Sequence, residues 1–313
     1  MNRTRSAKEP PTELSGVICA ALTPLDATLE PDASAAVAHC RRLLRLGCDG
    51  INLLGTTGEA ASLSVGQRTS LMRAVAQSGL PLECFMVGTG ASALADAVEL
   101  TREAVALGYA GALVIPPFYY KNVSDDGVAA FYRALIERVA DDRLRLYFYN
   151  FPQLSGVRIS AAVIAEVEAA YPGVAAGIKD SSGEPGYADD LAARFALAVF
   201  PGSEAFLLDG RARGFAGCIS ATVNVSAPLA ARVWRAADDA RAAQGELTAI
   251  RAAIARYPMV PALRYLASVI GADAAWLRVL PPQAPLGPDD GRALLADLER
   301  CAGYAELAEA FAL

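Results

Sequence analysis

The stretch VAAGIKDSSG, residues 174–183, sets a lysine at the end of a short apolar run. The run is bounded by Pro172 and Gly173 and has strand length, so it reads as a buried strand. Only Lys8, Lys121 and Lys179 occur among 28 basic residues, so lysine is not a surface filler in this chain. A charged amine closing a buried strand is costly unless it has a task.

Outward from this strand, apolar β-branched segments alternate with Ala-rich segments of helical period, eight times over. Candidate strands lie at 16–25, 49–55, 82–90, 110–118, 145–152, 174–182, 197–203 and 217–224. Helices are expected to begin near Asp32, Ser64, Ala93, Ser124, Ser160, Glu184 and Ala205, and a last one after Ser226; Gly47, Gly79 and Gly108 are placed to end helices. Eight such units predict an α/β protein, a (β/α)8 TIM barrel over residues 14–240. Residues 1–13 read as a loose polar tail, and 241–313 as a helical C-terminal extension interrupted at YPMVP and LPPQAPLGP.

Composition narrows the function. The chain is 54% hydrophobic and 20% charged, which places it among globular proteins. A net charge of -6 and a pI near 5.0 leave no basic stripe for nucleic acid. No run is long enough to span a membrane, and the N-terminus lacks the apolar core of a signal peptide, so a cytoplasmic location is expected. Cys19, Cys40, Cys48, Cys84, Cys218 and Cys301 are scattered without a CxxC pair and read as reduced core residues. With His39 the single histidine, a Ser-His-Asp triad or a multi-histidine metal site is not expected.

Barrel enzymes carry their chemistry at the carboxyl ends of the strands. That rule selects GTTGE at 55–59, PPFYYK at 116–121, Tyr149 and Asn150, Lys179, and GSE at 202–204. A buried lysine can act as a Schiff-base nucleophile because desolvation favours the neutral amine. It can equally be structural, paired with Asp180. Lys8 sits in the tail, and Lys121 beside Asn122 reads as solvated. With no histidine at hand, Tyr149 leads as proton shuttle, although a strand-end tyrosine can also be plain core. Thr56 and Thr57 offer hydroxyls in a glycine-flanked loop able to hold an anion, or the loop is an ordinary turn before the helix at Ser64.

Five motifs, GTTGE, PPFYYK, YNFP, GIKDSSG and GCISATVN, occur in this order, and from about residue 14 to about residue 300 the chain resembles the dihydrodipicolinate synthase and N-acetylneuraminate lyase family of pyruvate-dependent class I aldolases. The resemblance implies that Lys179 forms an imine with pyruvate and that Tyr149 relays protons. Thr56 would connect Tyr149 to a tyrosine from a neighbouring subunit, Tyr119 or its rival Tyr120. The nest at Gly55, Thr56 and Thr57 would hold the pyruvate carboxylate, and Ile219 would pack near the pyruvyl group. It also implies a homo-oligomer, a tetramer or dimer, with no metal or dissociable cofactor and with small-molecule substrates, pyruvate and an aldehyde.

Departures from the family pattern bear on the substrate. Dihydrodipicolinate synthases carry an arginine two residues after the proline of YNxP, where this chain has Leu154, so a bidentate carboxylate clamp is missing. Arg158 is near, but its helix-leading context points it elsewhere. YNFPQLSG resembles the sugar-acid members instead. In sialic acid lyases two acidic residues bind sugar hydroxyls; here GSEA keeps Glu204 and has Ala205, and Ala221 replaces a serine. The expected reaction is C–C bond making or cleavage on a shorter 2-keto-3-deoxy sugar acid, with Glu204 and Ser181 receiving hydroxyls. A sugar-acid dehydratase, a dihydrodipicolinate synthase and a non-catalytic ligand-binding barrel are the alternatives.

Overall fold

The computed structural model describes residues 14–184 and 186–312; the expected tail at 1–13 lies outside the described residues. Eight short parallel strands form one sheet: β1 Gly16–Ala20, β2 Gly50–Leu53, β3 Phe85–Gly88, β4 Gly111–Val114, β5 Leu146–Asn150, β6 Ala175–Asp180, β7 Ala198–Pro201 and β8 Gly217–Ser220. Their order is β7-β6-β5-β4-β3-β2-β1-β8. Across the remaining seam Ala216 N–H donates to Val199 O at 2.9 Å, bringing β8 alongside β7. With helices between the strands, this is the (β/α)8 barrel that the sequence predicts.

Successive residues of a strand point to opposite faces, and in a barrel both faces are buried. Ile18, Ala20, Met86, Leu113, Tyr147, Tyr149, Phe200 and Ile219 make one interior cluster. Outward neighbours such as Val17, Cys19, Ile51 and Leu53 join the core between strands and helices. The interior holds a tyrosine ring at mid-depth because two neighbouring strands carry glycine there. A Cβ on Gly111 would lie 2.6 Å from the Tyr147 ring, and one on Gly177 would lie 2.7 Å from it. Tyr147 therefore plugs the barrel, and Tyr149, two residues on, sits one layer nearer the open end.

Helix starts follow the predicted caps. Asp32, Ser64, Ser124 and Ser160 each accept a backbone N–H with the side chain, and Ser64 with Gln67 forms a complete capping box. Two expectations fail. The helix expected from Ala205 is only a 3-10 turn, Glu204–Phe206, and one helical turn, Leu207–Gly210. The helix expected after Ser226 begins at Val223 and contains Pro228, with Ser226 Oγ donating to Thr222 O at 3.0 Å. The sequence strands also run long, because apolar loop residues such as Ala21, Leu22 and Leu25 are as buried as the strands they follow.

Beyond the barrel, helices Ala240–Ile254, Met259–Ile270, Pro288–Glu299 and Gly303–Ala312 complete the described chain. Leu247, Ile254, Leu263, Leu266 and Leu294 on these helices merge into the same hydrophobic core as the barrel shell. All six cysteines are free; Cys84 and Cys301 are only half-buried. Among the described residues no helix is long and apolar enough to cross a membrane.

Candidate active site

The register of β5 against β6 sets Tyr149 beside Lys179. Both point into the barrel at its carboxyl end, and both are nearly sealed, at 4% and 5% exposure. Lys179 Nζ stands 4.4 Å from the centre of the Tyr149 ring. The Tyr149 hydroxyl reaches Thr56 Oγ1 at 3.2 Å, so three residues from β5, β6 and the loop after β2 form one line. Asp180, the structural partner that the sequence offered for Lys179, directs its carboxylate to Asn150 Nδ2 at 2.9 Å and the Ser182 N–H at 3.1 Å. Burial raises the Asp180 carboxyl above the usual range, against those hydrogen bonds.

The loop that carries Thr56 is anchored by a pair the sequence reading missed. Glu59, with φ at 55°, accepts from Arg264 Nε at 3.1 Å and from the Leu280 N–H at 3.1 Å. Arg264 also donates to Thr23 O at 2.7 Å, so one guanidinium ties the loops after β1 and β2 to the helix Met259–Ile270. Its signal in the sequence is an arginine inside the apolar string PALRYLASVI.

Thr56, Thr57, Tyr149, Lys179 and Ser181 line one cavity of about 930 Å³. Gly55 lines an adjoining cavity of about 220 Å³ that shares Thr56, Tyr149 and Leu154 with the first. Ile219 is fully buried on β8, opposite Ile18. Tyr119 and Tyr120 stand apart from both cavities, 75% and 73% exposed, with their rings edge to face at 5.2 Å. Lys121 is exposed as expected but is not merely solvated: it donates to Phe118 O and, at 2.8 Å, to Ser155 O, joining the loops after β4 and β5. Arg158 does point elsewhere, gripping Glu184 at the cavity rim with bonds of 2.8, 2.9 and 3.1 Å.

Glu204 requires a correction. It is fully buried and absent from the cavity wall, and its carboxylate accepts from Ser220 Oγ, Thr222 Oγ1 and, at 2.9 Å, Arg251 Nη1. A buried carboxylate needs such partners, and having them it has no face left for substrate hydroxyls. The group that reaches the cavity is its counter-ion, Arg251, which the sequence reading passed over because it lies beyond the barrel on the helix Ala240–Ile254.

A buried lysine at the end of β6, a tyrosine ring beside it and a threonine-glycine loop in contact with that tyrosine thus meet at the carboxyl end of a barrel. The chain belongs to the dihydrodipicolinate synthetase family, whose sequence pattern matches residues 13–300. It is 33% identical over 299 residues to an uncharacterised DapA-like lyase of Chloroflexus aurantiacus, covering 92% of this chain and 97% of that one. It is 34% identical to a 4-hydroxy-tetrahydrodipicolinate synthase of Synechococcus over 72% of this chain and 74% of the relative. The dihydrodipicolinate synthase of Agrobacterium tumefaciens superimposes with a TM-score of 0.85 at 29% identity, over 91% of this chain and 99% of that structure. Members of the family are pyruvate-dependent class I lyases, and this chain is an enzyme of that kind.

Proposed function

We propose that this lyase joins pyruvate to an aldehyde, or releases it from the adduct, through an imine on Lys179. The observation that carries the reading is the line from Lys179 through Tyr149 to Thr56 at the mouth of a sealed barrel. Lys179 Nζ replaces the pyruvate carbonyl oxygen with loss of water. Removal of a C3 proton gives an enamine, whose C3 electron pair forms the new bond to the aldehyde carbon. The aldehyde oxygen becomes an alkoxide and takes a proton from Tyr149, and hydrolysis frees a 4-hydroxy-2-oxo acid and the lysine. The nest at Gly55, Thr56 and Thr57 holds the pyruvate carboxylate, and Ile219, in the interior cluster with Tyr149, packs near the pyruvyl group.

Tyr149 recovers its proton through Thr56 from Tyr119 of a second copy. The exposure of Tyr119, outside the cavities of its own chain, supports a homo-oligomer in which each chain completes another's site. A 2-keto-3-deoxy sugar acid is one 4-hydroxy-2-oxo acid of this type. Leu154 supports the exclusion of a carboxylate-bearing aldehyde, whereas Glu204 no longer supports a hydroxylated one.

Borohydride reduction in the presence of pyruvate tests the reading. It is expected to leave a carboxyethyl group on the peptide containing Lys179. Labelling at Lys121, or none at all, overturns it.

A further inference from the structure

We propose that the acceptor half of the Lys179 cavity is built for an uncharged aldehyde bearing an aryl group rather than for a sugar-derived one. The inference rests on the pyruvate reading of Lys179 and names the substrate class of that same site.

Two of the chain's exposed large apolar side chains, Leu154 at 56% and Phe206 at 43%, line this cavity. Phe151, Phe215 and Met259 line it with them. Apolar surface left in water inside a cavity is surface that an apolar ligand covers with a gain in free energy. The volume, about 930 Å³, is also far more than a three-carbon aldehyde fills beside pyruvate.

Glu184, Asp189, Arg213 and Arg251 in the wall already have counter-charges. Asp189 holds Arg213 by two bonds of 2.8 and 2.7 Å, and Glu184 is held by Arg158. Arg251 Nη1 is taken by Glu204, Ser220 and Thr222. A polyhydroxylated chain would bring several donors to carboxylates that already have partners, and a carboxylated one would meet guanidiniums that already have counter-charges. Arg213 in addition lies 5.1 Å from the Phe206 ring centre and 4.7 Å from that of Phe215. Flat groups thus stack at this wall, which suits an aryl ring over a branched alkyl chain. Ser181 remains for the single oxygen that the aldehyde carbon brings.

The chemical step is the one above: the enamine C3 bonds to the aryl aldehyde carbon, the oxygen is protonated, and water releases a 4-aryl-4-hydroxy-2-oxo acid. The test compares kcat/KM for benzaldehyde, glyceraldehyde and aspartate semialdehyde, each with pyruvate, alongside borohydride trapping of pyruvate alone. Benzaldehyde is expected to lead both others by at least about tenfold. Phe206→Ser should lower the benzaldehyde value by about tenfold more than the glyceraldehyde value, with pyruvate still trapped at Lys179. A lead for glyceraldehyde or aspartate semialdehyde with trapping intact overturns the aryl assignment alone, as does an equal loss on all three aldehydes in Phe206→Ser. Loss of trapping in the native enzyme overturns the imine reading first and this inference with it.

Discussion

The Arg264 guanidinium and the Glu59 carboxylate meet at 3.1 Å with each side chain only 1% exposed. A pair this deep stabilises little relative to an apolar replacement, but breaking it strands a charge in the interior. Arg264→Met should therefore cost about 3–5 kcal/mol in urea unfolding. Adding Glu59→Gln should restore part of the loss, because the stranded charge is gone. Strict additivity of the two changes would show that the ion pair is not the anchor of the Thr56 loop.

Tyr149→Phe removes the hydroxyl that touches Thr56 and keeps the ring beside Lys179. A drop in kcat of about 10² to 10⁴ is expected, the range of general acid–base catalysis, with thermal unfolding little changed. Pyruvate trapping on Lys179 should slow but still occur. Near-native turnover would remove Tyr149 from the proton path.

Much of this site could be read in the sequence because barrel topology converts strand ends into neighbours. Lys179 and Tyr149 lie at the ends of adjacent strands, and GTTGE follows a third, so the strand-end rule selected residues that the fold brings together. Glu204 failed under the same rule. It does follow β7, but a strand end says nothing of which way the next turn carries a side chain, and here the 3-10 turn Glu204–Phe206 carries it into the core. Arg264 and Arg251 were missed for a different reason. Their partners lie 205 and 47 residues away, and pairing over such separations is set by how the C-terminal helices dock, not by any local pattern.

The single histidine gives a clean pH prediction. Asn224 is fixed by donating to Ala20 O at 2.8 Å and Ala221 O at 2.7 Å, so its Oδ1 accepts, and His39 Nε2 is the protonated nitrogen facing it at 2.9 Å. Burial lowers the His39 pKa from 6.5 to about 4, partly opposed by that hydrogen bond. The unfolded chain therefore binds a proton at a higher pH than the folded one. The contribution is fully present above about 6.5 and is lost as pH falls towards about 4, by up to about 3 kcal/mol. Urea unfolding of native protein and His39→Gln across this window should show a flatter pH dependence in the variant; equal slopes would mean that His39 titrates normally in the fold.

Glu204 acts as a buried counter-ion rather than as a substrate ligand, and the two roles differ in what Glu204→Gln would change. Glu204 accepts from Ser220, Thr222 and Arg251 and shows no surface to the cavity. Glu204→Gln keeps the shape but withdraws the charge that holds Arg251, whose side chain is 25% exposed. One buried hydrogen-bond partner is weakened rather than deleted, so a cost of about 1–3 kcal/mol in unfolding free energy is expected. Selectivity should respond differently. Propanal and glyceraldehyde differ in two hydroxyls, and a residue that binds those hydroxyls sets the ratio of their kcat/KM values. That ratio should stay within about twofold of the native value in Glu204→Gln, because the carboxylate never meets them. A selective fall for glyceraldehyde, with stability unchanged, would return Glu204 to the cavity wall and restore the sugar-acid reading of this enzyme.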